Sequence, residues 1–366
     1  MLLAYQEGRR LRAALVGCGH HAYRTILPSF DYLAVDLVVT CNRHLERAQV
    51  YARRWGAQAA VASIEEVIAR GDVEAVFLVV GPRQHPELAV KALTAGLHVW
   101  MEKPPAEDVA GIERMKAARD ASGKVAAVGF KKMFMPGLQR MKAFLDKDRF
   151  GKMRTIVVRY PMGLRRRAPG LPVEDFNDWL QNGSHALSVF VYLAGRPQAL
   201  TVHASSDGGG FVVLDFPDGT VGCLHLALGH SMSGPLERYE VVCEHGHMVL
   251  ENNRELRVYR PGYPFHYGKT ADFTAGDQDV AALVYEPQFS FATMENKALF
   301  IQGFVPELDH FVNACLTGQA PTVGTLEQAR TVLECYEAGL WSGGKRVLLD
   351  DLAGLRSGRS GNEHGE

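Results

Sequence analysis

Lys103 stands in the run Glu102-Lys103-Pro104, directly after His98 to Met101, an apolar stretch that reads as a buried strand. Open α/β sheets bind ligands and do chemistry at the carboxyl ends of their strands. A lysine delivered there can hydrogen-bond a substrate hydroxyl, favour a developing alkoxide and help place the proton. A loop lysine is ordinarily a solvated charge; the strand-end position and the prolines that follow set this one apart. Upstream, Leu15-Val16-Gly17-Cys18-Gly19-His20-His21-Ala22 follows a strand and opens a helix. This GxGxxA run predicts a dinucleotide-binding turn made of Gly17, Cys18, Gly19, His20, His21 and Ala22. Gly17 permits the tight turn, Gly19 admits a pyrophosphate, and Ala22 lets helix and strand pack closely. The helix N-terminus adds free N–H groups and a partial positive charge.

The end of the second strand bears on the choice of coenzyme. Enzymes that use NAD usually place an acidic residue there, about twenty residues beyond the turn, to hold the ribose 2′-hydroxyl. Asn42 and Arg43 occupy that position here. They could accept a 2′-phosphate that a carboxylate would repel, so NADP(H) is favoured. NAD(H) is the other reading, in which Asn42 holds a plain ribose and Arg43 is solvated.

The stretches 13–16, 35–41, 75–80, 98–101 and 125–128 are continuous apolar runs separated by helical patterns. That pattern predicts a parallel sheet covered on both faces. Val109, Ile112, Met115 and Ala118 fall at helical spacing within 106–121. After Gly129 the pattern changes. Met153 to Tyr160 reads as a strand and Ser184 to Leu193 as a helix. Residues 198–259 read as strands joined by short turns such as Pro217-Asp218-Gly219, the mark of antiparallel pairing. A length of 366 residues fits two domains. The expected organisation is a tail over 1–10, a doubly wound Rossmann sheet over 11–130, an α+β substrate and oligomerisation domain over 131–350, and a disordered tail over 351–366.

The net charge of −1 offers no global field for nucleic acid or an anionic membrane. No apolar run approaches the ~20 residues of a membrane span. The first residues do not read as a signal peptide. Six cysteines without CxxC spacing predict buried reduced thiols, which suits a cytoplasmic protein. No metal is expected, because His245-Gly246-His247 reads as a strand turn.

The runs GCGHHA, VVGPRQH, ALTAGLHVWMEKP, GFKKMFMP and GSHALSVFVYLAG, with the closing stretch from Pro306 to Gly343, resemble the Gfo/Idh/MocA oxidoreductase family over about residues 11 to 350. The resemblance implies a Rossmann domain followed by an α+β domain with a large, mostly antiparallel sheet. It implies hydride transfer between nicotinamide and a carbinol or ketone carbon of a sugar, cyclitol or related polyol. It assigns Lys103 as the catalytic lysine, suggests a cis Lys103–Pro104 peptide, and makes Pro82, His85 and Glu102 coenzyme contacts. His185 matches the family's second-domain histidine, a proton relay or substrate ligand. Many members carry carboxylates four residues before and three after it; here Gln181 and Ser188 stand there. Gln181 cannot raise the basicity of an imidazole as a carboxylate would, and is expected to bind substrate instead. This departure keeps a non-catalytic dinucleotide sensor, or a redox-assisted hydrolase or lyase, as the alternatives. Lys131, after the last Rossmann strand, is a further candidate for substrate. Arg165-Arg166-Arg167 reads as a solvated loop, or as a lid for an anionic substrate. A large sheet with one uncovered face predicts a homodimer or homotetramer.

Overall fold

The computed structural model describes residues 8–147, 150–164, 178–259, 282–286 and 296–355. Arg165, Arg166 and Arg167 lie outside them. The first sheet contains β1 (Leu11–Val16), β2 (Val35–Cys41), β3 (Ala59–Val61), β4 (Ala75–Leu78), β5 (His98–Glu102) and β6 (Ala126–Gly129). Their order is β3-β2-β1-β4-β5-β6 and every pair is parallel. The order reverses between β1 and β4, the switch point where such sheets bind nucleotides. Ala13, Ala14 and Leu15 on β1 and all four residues of β4 are fully buried, because helices cover both faces.

The connecting helices are α1 (Leu27–Phe30), α2 (Leu45–Trp55), α3 (Ile64–Ala69), α4 (His85–Thr94) and α5 (Val109–Ser122). Local chemistry sets their ends. The Ser63 and Asp108 side chains accept the Glu66 and Gly111 amides, and left-handed glycines 56 and 123 close α2 and α5. The regular helix expected from His21 is instead a π-helical turn, Ala22–Ile26, running into α1. Thr25 and Ser29 hydroxyls bond back to the His21 and Thr25 carbonyls in this turn, which perturbs the regular ladder.

The second sheet contains β7 (Met153–Tyr160), β8 (Ala199–Ala204), β9 (Gly210–Asp215), β10 (Val221–Leu226), β11 (Arg238–Cys243), β12 (Gly246–Glu251), β13 (Glu255–Tyr259), β14 (Leu283–Tyr285) and β15 (Val347–Leu348). They lie in the order β14-β13-β12-β11-β7-β10-β9-β8-β15. All neighbours are antiparallel except β7 and β10. Strands alternate cleanly: Ile156, Val158, Leu224 and Leu226 are buried, while Val157, Phe211 and Val221 on the opposite face are exposed. The remaining helices are α6 (Pro136–Leu145), α7 (Asp178–Ala194), α8 (Lys297–Ile301), α9 (Phe304–Thr317) and α10 (Leu326–Ser342).

The domain division is not contiguous: one compact unit comprises Met1–Met135 and Met294–Glu334, the other Pro136–Thr293 and Cys335–Glu366. Burial explains the return. Val305, Leu308 and Phe311 of α9 join the core of Leu15, Phe77 and Trp100, with the Phe311 and Phe77 rings 5.4 Å apart. Described structure extends into both segments expected as tails. Arg9 and Arg10 pair with Glu74 and Asp36, and Leu352 is buried in a short helical segment after β15. None of the described helices is long and apolar enough to cross a membrane.

Candidate active site

The first glycine of the turn is required by close approach. Gly17 has φ +104°, and a Cβ there would stand 2.2 Å from the Val79 carbonyl oxygen at the end of β4. Gly19 shows the opposite geometry: a Cβ would meet no atom within 4 Å, so its backbone faces open space. Ala22 is fully buried, whereas His20 and His21 are exposed. Beside this turn lies a cavity of about 420 Å³ lined by Gly17, Cys18, Gly19, Asn42, Arg43, His44 and Arg47, among others. That volume is in the range of small-molecule sites. Glycine backbone facing open space, helix amides and guanidinium groups form a donor set that fits a dinucleotide. Among the lining residues, Lys91 bonds Glu65 and Glu87 at 2.9 and 2.8 Å and offsets part of their negative charge. The Asn42 Oδ1 accepts the His44 amide at 3.0 Å, a local turn just before α2. Cys18 is a buried thiol pushed up to about 12 by desolvation, which makes it inert at neutral pH.

Pro82 and His85 are buried and are not among the cavity's lining residues. Burial pushes the His85 imidazole down to about 4, so it is neutral at pH 7. Its Nδ1–H donates to the Pro104 carbonyl at 3.0 Å. His85 therefore ties the start of α4 to the loop that carries the lysine.

At that loop the Lys103–Pro104 peptide is cis. Glu102 is buried; one carboxylate oxygen accepts the Lys103 amide at 3.0 Å and the other accepts His21 Nε2 at 2.7 Å. Thr25 Oγ1 lies 3.0 Å from Nδ1 of the same imidazole. Burial lowers the proton affinity of the Lys103 ammonium below the usual lysine value; Glu102 opposes this and Lys132 reinforces it. A lysine so placed is a better proton carrier near neutral pH than a solvated one. Lys131 donates to Gln302 at 3.1 Å, and its ammonium lies 4.3 Å above the Phe304 ring.

In the second unit His185 is buried eight residues into α7, two turns beyond the start of that helix. Its ring lies 6.3 Å from that of Tyr160. Gln181 is half-buried one turn earlier. Ser188 donates to the His185 carbonyl at 2.7 Å. The carboxylate of this helix is Asp178, two turns from His185, and it accepts the Gly163 amide and the Asn182 side chain.

The sequence reading missed the longer start of α7, because Asp178 and Asn182 resemble loop residues. It missed Arg47, although Arg47 falls one helical turn after Arg43. It took His21 as turn backbone and missed its side chain, whose bond to Glu102 crosses 81 residues.

A parallel sheet with its glycine turn at the switch point, and a desolvated lysine at the same edge, define the nicotinamide-dependent oxidoreductases. The chain belongs to the Gfo/Idh/MocA family of these NAD(P)-dependent enzymes. Residues 11–130 match its NAD-binding Rossmann fold and residues 142–347 its C-terminal alpha/beta domain. It is 25% identical over 301 residues to the scyllo-inositol 2-dehydrogenase (NADP(+)) IolU of Bacillus subtilis, covering 78% of this chain and 89% of that one. It is 28% identical over 191 residues to 4-carboxy-2-hydroxymuconate-6-semialdehyde dehydrogenase of Sphingobium sp., covering 51% of this chain and 60% of that relative. An oxidoreductase of Agrobacterium radiobacter, solved with NAD+, L-tartaric acid and magnesium, shares the fold at a TM-score of 0.77 and 15% identity, over 94% of this chain and 99% of that one.

Proposed function

We propose that this protein transfers a hydride between NADP(H) and a carbinol or ketone carbon of a sugar, cyclitol or related polyol, with Lys103 and His185 as its catalytic residues. The observation that carries the reading is Lys103: desolvated, at the carboxyl end of β5, with its backbone fixed by Glu102. Bound nicotinamide supplies or accepts the hydride. In the oxidative direction Lys103 holds the substrate hydroxyl, stabilises the alkoxide and takes up the proton, so that alcohol becomes ketone as hydride and proton leave. The turn at Gly17 and Gly19 holds the pyrophosphate. Arg43 and Arg47, with no carboxylate at Asn42, favour a 2′-phosphate. The Bacillus subtilis relative, named as an NADP(+)-dependent cyclitol dehydrogenase, supports both the coenzyme and the substrate class.

Fluorescence titration with NADPH and NADH tests the coenzyme. Tighter NADPH binding is expected, weakened roughly ten- to a hundred-fold by Arg43→Ala, the worth of one charge-assisted bond. Equal or tighter NADH binding by the unmodified protein rejects the preference.

A further inference from the structure

Glu307 has no place in the chemistry above, yet it is among the most buried charged residues of the protein, 2% exposed. Neither of its carboxyl oxygens has a hydrogen-bond partner. It lies in the first turn of α9, whose start is fixed at Gly303. That glycine has φ +91°, and a Cβ there would stand 2.1 Å from the Lys131 carbonyl oxygen. One turn before Glu307, Phe304 packs its ring 5.6 Å from that of His21 and beneath the Lys131 ammonium. His21 in turn holds Glu102. The charged groups that act on Glu307 are Glu102 from β5 and Lys131 from the turn after β6; His21 and Lys103 lie beyond, both bonded to Glu102.

Two buried carboxyl groups near one another do not both ionise readily. Hydrogen bonds decide which one keeps its proton. Glu102 accepts two, from His21 and from the Lys103 amide. Glu307 accepts none. The dipole of α9 favours an anion in its first turn, but that effect is smaller than the cost of desolvating an unbonded carboxylate. Lys131 also opposes the proton, but its ammonium already serves Gln302 and the Phe304 ring. We propose that Glu307 is a neutral carboxylic acid at neutral pH, buried and unbonded in the first turn of α9, which leaves Glu102 as the single carboxylate behind Lys103. Burial and the Glu102 charge both raise its proton affinity well above that of an ordinary glutamate, in agreement. Only the catalytic consequence rests on the proposed function.

Glu307→Gln keeps the shape and removes the titration. A carboxyl with raised proton affinity costs stability as pH rises above the ordinary glutamate range, because the unfolded chain releases the proton and the folded one retains it. The thermal midpoint of Glu307→Gln relative to the unmodified protein should therefore climb as pH rises from about 4.5 toward 8. A flat difference, or one that falls with pH as loss of an ionised partner of Lys131 would give, overturns the proposal. Infrared spectroscopy of the unmodified protein at pH 7 should show the carbonyl stretch of a protonated carboxylic acid. The band should vanish in Glu307→Gln and survive in Asp309→Asn, which controls for the neighbouring carboxyl whose proton affinity burial also raises. No such band in the unmodified protein overturns the proposal even if the variant fails to fold. In coenzyme-loaded protein, kcat/KM at neutral pH should stay within a few fold in Glu307→Gln, as one neutral group replaces another; a large loss there, as removal of a charge would give, overturns the proposal. Absence of turnover in the unmodified protein would instead count against the proposed function and leave the stability and infrared results standing.

Discussion

At the scale of single residues, burial decides which groups are available for proton transfer. Lys103 and His85 flank the same loop, and desolvation acts on both, with different results. Lys103 has its proton affinity lowered by burial while Glu102 opposes the shift. His85 is driven to about 4 and becomes a neutral strut under Pro104. The linkage has a definite sign. Between about 4 and 6.5 the unfolded chain binds a proton at this histidine that the folded chain does not, so stability rises with pH through that window. A shift of this size corresponds to about 3 kcal/mol. Denaturant unfolding should thus show stability falling from pH 6.5 to pH 4, and His85→Asn should flatten part of that slope. The remainder is shared by other groups, among them His98, which burial also lowers to about 4, and His310, lowered by the same cause. An unchanged slope in His85→Asn would show that the histidine is not buried neutral. The family resemblance implied a coenzyme contact for His85; its burial and its bond to Pro104 were invisible in the sequence, because they depend on a partner nineteen residues away.

At the scale of elements, the glycine turn makes two separable demands. Gly17 is required by close approach to the Val79 carbonyl, whereas the backbone of Gly19 faces open space, where we expect a pyrophosphate. Gly17→Ala should lower the thermal midpoint, since its methyl would drive into the Val79 carbonyl. Gly19→Ala should unfold close to the unmodified protein yet lose coenzyme affinity at least tenfold, because its methyl fills the open face. Calorimetry and coenzyme titration on the two variants check this; a Gly19→Ala protein that binds coenzyme normally contradicts the pyrophosphate role. Parallel strands such as β1 and β4 were legible because burial on both faces leaves unbroken apolar runs. The π-helical turn was not legible, because it arises from Thr25 and Ser29 hydroxyls competing for backbone carbonyls rather than from hydrophobic spacing. The return of α9 to the first core was also hidden, since an amphipathic helix states that it buries a face and not against what.

At the scale of the whole molecule, the second sheet exposes Val157, Phe211, Val221 and Val284. We expect a second copy to cover this face in a homodimer or homotetramer. Light scattering at micromolar concentration should give an oligomer that Phe211→Glu dissociates, and a monomeric unmodified protein rejects the expectation. The central claim concerns chemistry. Purified protein should be mixed with NADP+ and a panel of cyclitols and aldoses, with reduced coenzyme followed by absorbance and ketone product by mass spectrometry. The account predicts one reduced coenzyme per ketone with at least one polyol. It also predicts a loss of about 10²-fold or more in Lys103→Met, with coenzyme binding retained within a few fold. Turnover that survives Lys103→Met in the folded protein, or no reduced coenzyme from a protein that binds it tightly, would contradict the account.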